Sequence, residues 1–288
     1  MEKVLEIRGL TKRYKGFTLN DVSLEVPKGY IMGLIGPNGA GKTTIIKLIM
    51  NLIRRDAGEI RVFGMDNLAC EPEIKSRIGF VYETPHFYDD VSLKDIKSAF
   101  APFYEKWDEA LFTRLAGEFG LPLKKKFKKL SHGMKMKFSL ALALSHDADL
   151  LLLDEPTSGL DPVFRQGLLD RLAEFLQAER KSVLFSTHIT SDLEKIADYI
   201  TFVRNGETVF SSTKDDVRDN WGIVKAGREI LDKKQIPALE GFRASEFGVE
   251  ALTSDAKAAR QRLRGAAVIE HATLDDIMFF TEKGDRRA

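Results

Sequence analysis

Two hydrophobic periods alternate along the chain. Short apolar, β-prone runs at 4–7, 18–26 and 30–35 are separated by turn residues, and the first ten residues alternate charged and apolar side chains in the manner of an edge strand. A helical pattern opens at Lys42 and continues to about Leu52. From Leu93 to about Ser145 apolar residues recur every three or four positions, at Phe100, Phe103, Trp107, Leu111, Leu115 and Phe119. This predicts an inserted helical region at about 93–145 with that stripe as its core. Strand character returns at 149–154, 182–186 and 199–203, with helix-like segments at 162–178 and 191–197 between them. Strands that alternate with helices predict an α/β fold with a parallel sheet.

Beyond the turn at Asn205-Gly206, residues 207–211 close this core and the chain becomes richer in charge. Short strands are expected near 222–225, 242–250 and 267–271, with helices near 228–234, 255–263 and 273–281. A boundary therefore falls at 213–220, dividing a main domain, 1–215, from a small α/β appendix, 216–288. No internal repeat, low-complexity tract or long linker interrupts the chain.

The chemistry begins where the third strand meets the first helix. Gly36, Pro37, Asn38, Gly39, Ala40, Gly41, Lys42, Thr43 and Thr44 complete the phosphate-binding loop pattern. Its glycines let backbone N–H groups surround phosphates, and the helix that follows turns its positive end on the same anions. Lys42 is placed to reach the β- and γ-phosphates of a nucleoside triphosphate, and Thr43 a magnesium ion. A second apolar run, 150–153, ends in Asp154 and Glu155. Ligands of parallel sheets sit beyond the carboxyl ends of the strands, so Asp154 is expected at the metal and Glu155 at the attacking water.

Residues 130–134, Leu-Ser-His-Gly-Met, precede a helix-like stretch about twenty residues before that acidic strand. With this segment the chain resembles the ATP-binding subunits of ABC (ATP-binding cassette) transporters, whose signature most often reads Leu-Ser-Gly-Gly-Gln. Ser131 is a natural helix cap, and its helix end together with Gly133 faces an anion. The resemblance covers roughly residues 3–212 and implies a P-loop NTPase (RecA-like) core with an antiparallel β subdomain and the inserted helices; the appendix lies beyond it. It implies ATP and Mg²⁺ as ligands, and it makes the anion at Ser131 and Gly133 the γ-phosphate of ATP held by another subunit. By the same resemblance Tyr14 stacks on adenine, Asp161 in Ser158-Gly159-Leu160-Asp161 belongs to a loop linking two ATP sites, and His188 contacts the γ-phosphate. Glu83 stands where the family usually has a magnesium-contacting glutamine, and His132 where glycine is commoner. Glu83 is expected to take part in metal binding and catalysis and to shift the metal or pH dependence.

Bulk properties narrow the partners. A net charge of +1 and a pI near 7.8 give no reason to expect nucleic acid. The lone Cys70 forms no disulfide within the chain. The run 124–129, with five lysines around Phe127, reads as a solvated loop. No stretch approaches the ~18 apolar residues of a spanning helix, and the first ten residues lack the basic and apolar regions of a secretory leader. The expectation is a cytoplasmic ATPase, peripheral on the inner membrane face through its transmembrane permease subunits. It would act as a homodimer or as a heterodimer with another ATP-binding subunit, more in export than in import. A soluble ABC-type ATPase or a nucleotide sensor is the alternative.

Overall fold

The computed structural model describes residues 2–177, 181–232, 236–246 and 248–283. The chain divides into two compact units, Met1–His188 with Thr201–Ser211, and Ile189–Ile200 with Ser212–Ala288.

The first unit opens with strands β1 (Lys3–Tyr14), β2 (Phe17–Pro27) and β3 (Ile31–Ile35) and helix α1 (Lys42–Ile49). Strands β4 (Ala57–Val62) and β5 (Met65–Asp66), helix α2 (Glu71–Ser76) and strand β6 (Ile78–Val81) follow. Helices α3 (Leu93–Phe100), α4 (Glu109–Glu118) and α5 (His132–Leu144) make the inserted region. The chain then returns through β7 (Leu150–Asp154), α6 (Pro162–Leu176) and β8 (Ser182–Thr187). After α7 (Thr190–Ile196), which clusters with the second unit, strands β9 (Tyr199–Arg204) and β10 (Glu207–Thr213) complete a six-stranded sheet in the order β10-β9-β3-β8-β7-β6. Its β3, β8, β7 and β6 run parallel. Leu150 to Leu153 are fully buried, which explains the unbroken apolar run in β7. Gly79 of β6 leaves room for α5, because a Cβ there would lie 2.7 Å from the Ala143 carbonyl oxygen.

Three expectations for this unit change. The amino-terminal strand is not an edge. β1 lies between β2 and β4 in a four-stranded antiparallel sheet, with Leu5 opposite both Val26 and Val62. Its alternation records one buried and one exposed face instead. The aromatic stripe is not one continuous helical core: Asp108 accepts a hydrogen bond from the Leu111 N–H at 2.8 Å and restarts the helix as α4, and Phe103 is 78% exposed. Phe112, Leu115, Ala116 and Phe119 are the buried positions of that helix and its cap. The lysine run is anchored as well as solvated. Phe127 is buried edge-on against Phe87, and Lys126 and Lys128 both pair with Asp90.

The second unit contains α8 (Lys214–Asn220), β11 (Gly222–Ala226), α9 (Glu229–Asp232), β12 (Leu239–Ser245), β13 (Gly248–Thr253), α10 (Ala256–Arg262), β14 (Ala267–His271) and α11 (Leu274–Lys283). An antiparallel sheet in the order β12-β13-β11-β14 packs Val224, Phe242 and Ala251 with Ala259 and Leu263 of α10 and its cap. The single strand expected at 242–250 is a hairpin, with Ser245 paired to Gly248. Helix α8 was not legible in the pattern; Thr213 caps it by accepting from the Asp216 N–H at 3.1 Å. The ends expected for two helices, at 178 and at 233–234, lie outside the described residues.

Candidate nucleotide site

The loop between β3 and α1 has the shape its glycines allow. Gly41 caps α1 with φ 113°, and a Cβ there would meet Leu19 Cδ1 at 2.9 Å and Phe17 Cζ at 3.2 Å. At Gly36 a Cβ would lie 2.2 Å from the Val203 carbonyl oxygen. No side chain caps α1, so its first N–H groups remain available to an anion. A cavity of about 510 Å³ is lined by Phe17, residues 37–44, Glu83 and Glu155.

Beneath this loop the buried charges are tied together. Lys42 donates to the carbonyls of Gly36 and Pro37 at 2.7 and 3.3 Å and lies 3.4 Å from Glu155 Oε1. Glu155 Oε2 accepts from the His188 N–H at 3.3 Å and meets His188 Nδ1 at 2.8 Å. The order β3-β8-β7 produces this meeting, because it brings the carboxyl ends of three strands together: the phosphate loop, the turn carrying His188, and the paired acids. Glu155 is held in the left-handed region at φ 49°, a strained conformation for a residue with a side chain. Asp154, fully buried, accepts from Ser186 Oγ at 2.5 Å. Burial pushes its carboxyl above the usual range; the hydrogen bond from the Ser186 hydroxyl and the nearby Thr43 hydroxyl oppose that shift, and the negative charges of Glu83 and Glu155 add to it.

The other expected residues separate into two places. Tyr14 is 44% exposed and stacks on Phe17 with ring centroids 6.4 Å apart, and Phe17 is the aromatic ring that lines the cavity. Ser131, Gly133 and Asp161 are not in that lining. They form a second cluster. Ser131 caps α5 by accepting from the Met134 N–H at 3.3 Å, and Asp161 caps α6 through the Phe164 N–H at 2.9 Å and pairs with Lys137 at 3.6 Å. Those bonds hold the Asp161 carboxyl below its ordinary range. The His132 ring packs over Gly159, where a Cβ would come within 3.1 Å of it. Sequence reasoning missed Phe17 and Ser186. The signal for Ser186 was a polar residue at the end of an apolar strand, and Phe17 carried none beyond its nearness to Tyr14.

The donors fit a magnesium ion held mainly by phosphate oxygens and water. Asp154 Oδ2 is buried without a hydrogen-bond partner, and the Thr43 hydroxyl is close enough to influence the same carboxyl. Among the described residues no group of three His, Cys, Asp or Glu side chains forms a metal cage of its own.

A phosphate loop on a central parallel strand, with paired acids two strands away, defines a P-loop ATPase of RecA-like architecture. The family model described as "ABC transporter" matches residues 19–158. The ABC transporter ATP-binding protein YtrB of Bacillus subtilis (strain 168) is 32% identical over 76% of this chain and 75% of its own length. The bacitracin transport ATP-binding protein BcrA of Enterococcus faecalis is 34% identical over 73% of this chain and 69% of its own. A solved structure described as the ATP binding subunit of an ABC transporter superposes with a TM-score of 0.68 at 32% identity, covering 75% of this chain and 92% of that one. The chain belongs to the ABC transporter family as an ATP-binding subunit.

Proposed function

We propose that this subunit hydrolyses ATP to drive a separate transmembrane permease, in the direction of export, by closing and reopening a dimer of ATP-binding subunits. The separation of the two clusters carries this reading: Ser131, Gly133 and Asp161 lie outside the lining of the chain's own nucleotide cavity, as expected of groups that serve a second subunit. The second subunit is a copy of this chain or a different ATP-binding chain. Residues 1–215 constitute the ATP-binding domain and 216–288 an accessory domain. The transport role draws support from BcrA, whose name assigns it to bacitracin transport. In this reading the membrane path belongs to the partner and the subunit sits peripherally on the cytoplasmic face; among the described residues no helix is long and apolar enough to cross a membrane.

Within the site, residues 36–44 enclose the triphosphate and Lys42 binds its β- and γ-phosphates. Phe17 and Tyr14 form the aromatic wall against which the base stacks. Thr43, Asp154 and Glu83 hold the magnesium ion, which when bound neutralises charge on the phosphates. Glu155 accepts a proton from the attacking water, and His188 orients Glu155 and the γ-phosphate. Before nucleotide arrives, Glu155 bridges Lys42 and His188. Entry of the triphosphate draws Lys42 onto the phosphates and frees the carboxylate for its water.

The test is affinity purification of the Glu155→Gln subunit with Mg-ATP from detergent-solubilised membranes of its host, followed by mass spectrometry. Co-purification of a polytopic membrane protein is the expected result; ribosomal, DNA-associated or absent partners would overturn the transport reading. The same variant is expected to keep nucleotide binding and to lose hydrolysis by about 10²–10³-fold.

A further inference from the structure

We propose that Ser186 is a positioning residue for the magnesium ion: its hydroxyl fixes the rotation of Asp154 so that one carboxylate oxygen, Oδ2, is presented to the metal or its bound water. The inference rests on the nucleotide-binding reading above and adds a residue that touches neither nucleotide nor metal.

Asp154 and Ser186 are directly opposite one another in the parallel pair β7–β8, so their side chains emerge on the same side of the sheet. Both are fully buried, and Ser186 Oγ donates to Asp154 Oδ1 at 2.5 Å. The final torsion of an aspartate is broad and roughly two-fold, so the strand alone does not fix which oxygen faces which way. The serine hydroxyl removes that freedom. With Oδ1 occupied, Oδ2 is the oxygen left buried and without a hydrogen bond.

The same residue supports the neighbouring acid by a different atom. The Ser186 carbonyl oxygen accepts from the Glu155 N–H at 3.0 Å, at the residue whose backbone is left-handed. Side chain and main chain of Ser186 thus hold Asp154 and Glu155 separately. Replacing only the side chain leaves the Glu155 contact in place and isolates the effect on Asp154.

The experiment measures binding of a fluorescent ATP analogue to the full chain, first in EDTA and then against increasing Mg²⁺. Ser186→Ala is expected to raise the Mg²⁺ concentration at half-saturation about tenfold, as removal of an outer partner of a metal ligand does. Affinity in EDTA should stay within about twofold, since the phosphate loop itself is unchanged. Ser186→Thr, which restores a hydroxyl, should return half-saturation to within about twofold of the parent, and Ser186→Cys, with its weaker donor, should fall between. These two variants also decide the matter if the alanine variant melts too low to assay. A Mg²⁺ midpoint that does not move, or equal losses with and without Mg²⁺, would overturn the positioning role while leaving nucleotide binding intact. A parent protein that binds no nucleotide in either condition would overturn both readings.

Discussion

The phosphate loop with its acids and the cluster around Ser131 share one local design, a small-residue turn entering a helix, but they differ in burial. Lys42, Asp154 and Glu155 are 5%, 0% and 4% exposed and are joined to Ser186 and His188 by hydrogen bonds and ion pairs. Ser131, His132 and Asp161 are exposed, and the polar groups of Ser131 and Asp161 are spent on capping their own helices. Charge buried by the chain itself must be compensated within the chain, so the first cluster is organised before any ligand arrives. Nothing compels the second to be complete alone.

That contrast breaks most sharply in a pair of variants. Lys42→Ala should weaken nucleotide binding by about 100-fold in the isolated chain, because it removes a charge-assisted phosphate contact and leaves Glu155 buried without its cation. Ser131→Arg should leave that binding within about twofold and still lower ATPase turnover by about 10²-fold, the loss typical of one missing anion donor. Equilibrium binding and steady-state hydrolysis on both proteins check this. Equal losses of binding in the two variants would erase the distinction between the clusters.

A second effect reads burial through pH, at the far end of the same helix α5. His146 is 2% exposed, stacks on Tyr104 with centroids 3.9 Å apart, and has no hydrogen-bond partner on either ring nitrogen. Burial pushes its pKa down to about 4 from 6.5, with nearby Lys181 acting in the same direction and Asp147 opposing. The unfolded chain therefore takes up this proton first as the pH falls. Stability is present in full above pH 6.5 and is lost as the pH approaches 4, by about 3 kcal/mol in total. Denaturant unfolding at about pH 7 and about pH 5 should show most of that loss, and His146→Phe should flatten it.

The smallest effect separates two neighbouring rings. Phe17→Ala should weaken nucleotide binding about 5- to 10-fold and Tyr14→Ala about twofold, because Phe17 lines the cavity and Tyr14 braces it. The opposite order would return the base to Tyr14.

How far each feature was legible follows from how its residues come together. The phosphate loop was readable because cradling a phosphate needs consecutive residues, and Asp154-Glu155 because a strand buried on both faces is a continuous apolar run. Ser186 reaches Asp154 only through strand pairing, and Phe17 reaches the loop from β2, so neither contact leaves a trace in local spacing. In β1 the alternation was read as an edge, which it is not, since a period of two reports which side is buried and says nothing of neighbours. The hairpin at 239–253 was missed because no Asn-Gly or Asp-Gly pair marks the reversal between Ser245 and Gly248. Phe103 matched the helical period, but the helix that would have buried it stops, and Asp108 starts another.

The left-handed backbone at Glu155 bears on engineering. A residue with a side chain gives up about 1–2 kcal/mol in that conformation, which glycine adopts freely and asparagine tolerates. Selection for heat resistance alone would weigh that gain at Glu155→Gly or Glu155→Asn against the larger loss of Lys42's buried partner, and on the role proposed for Glu155 either change would remove hydrolysis. Any thermostability library built on this scaffold has to hold that position fixed or screen for turnover in parallel.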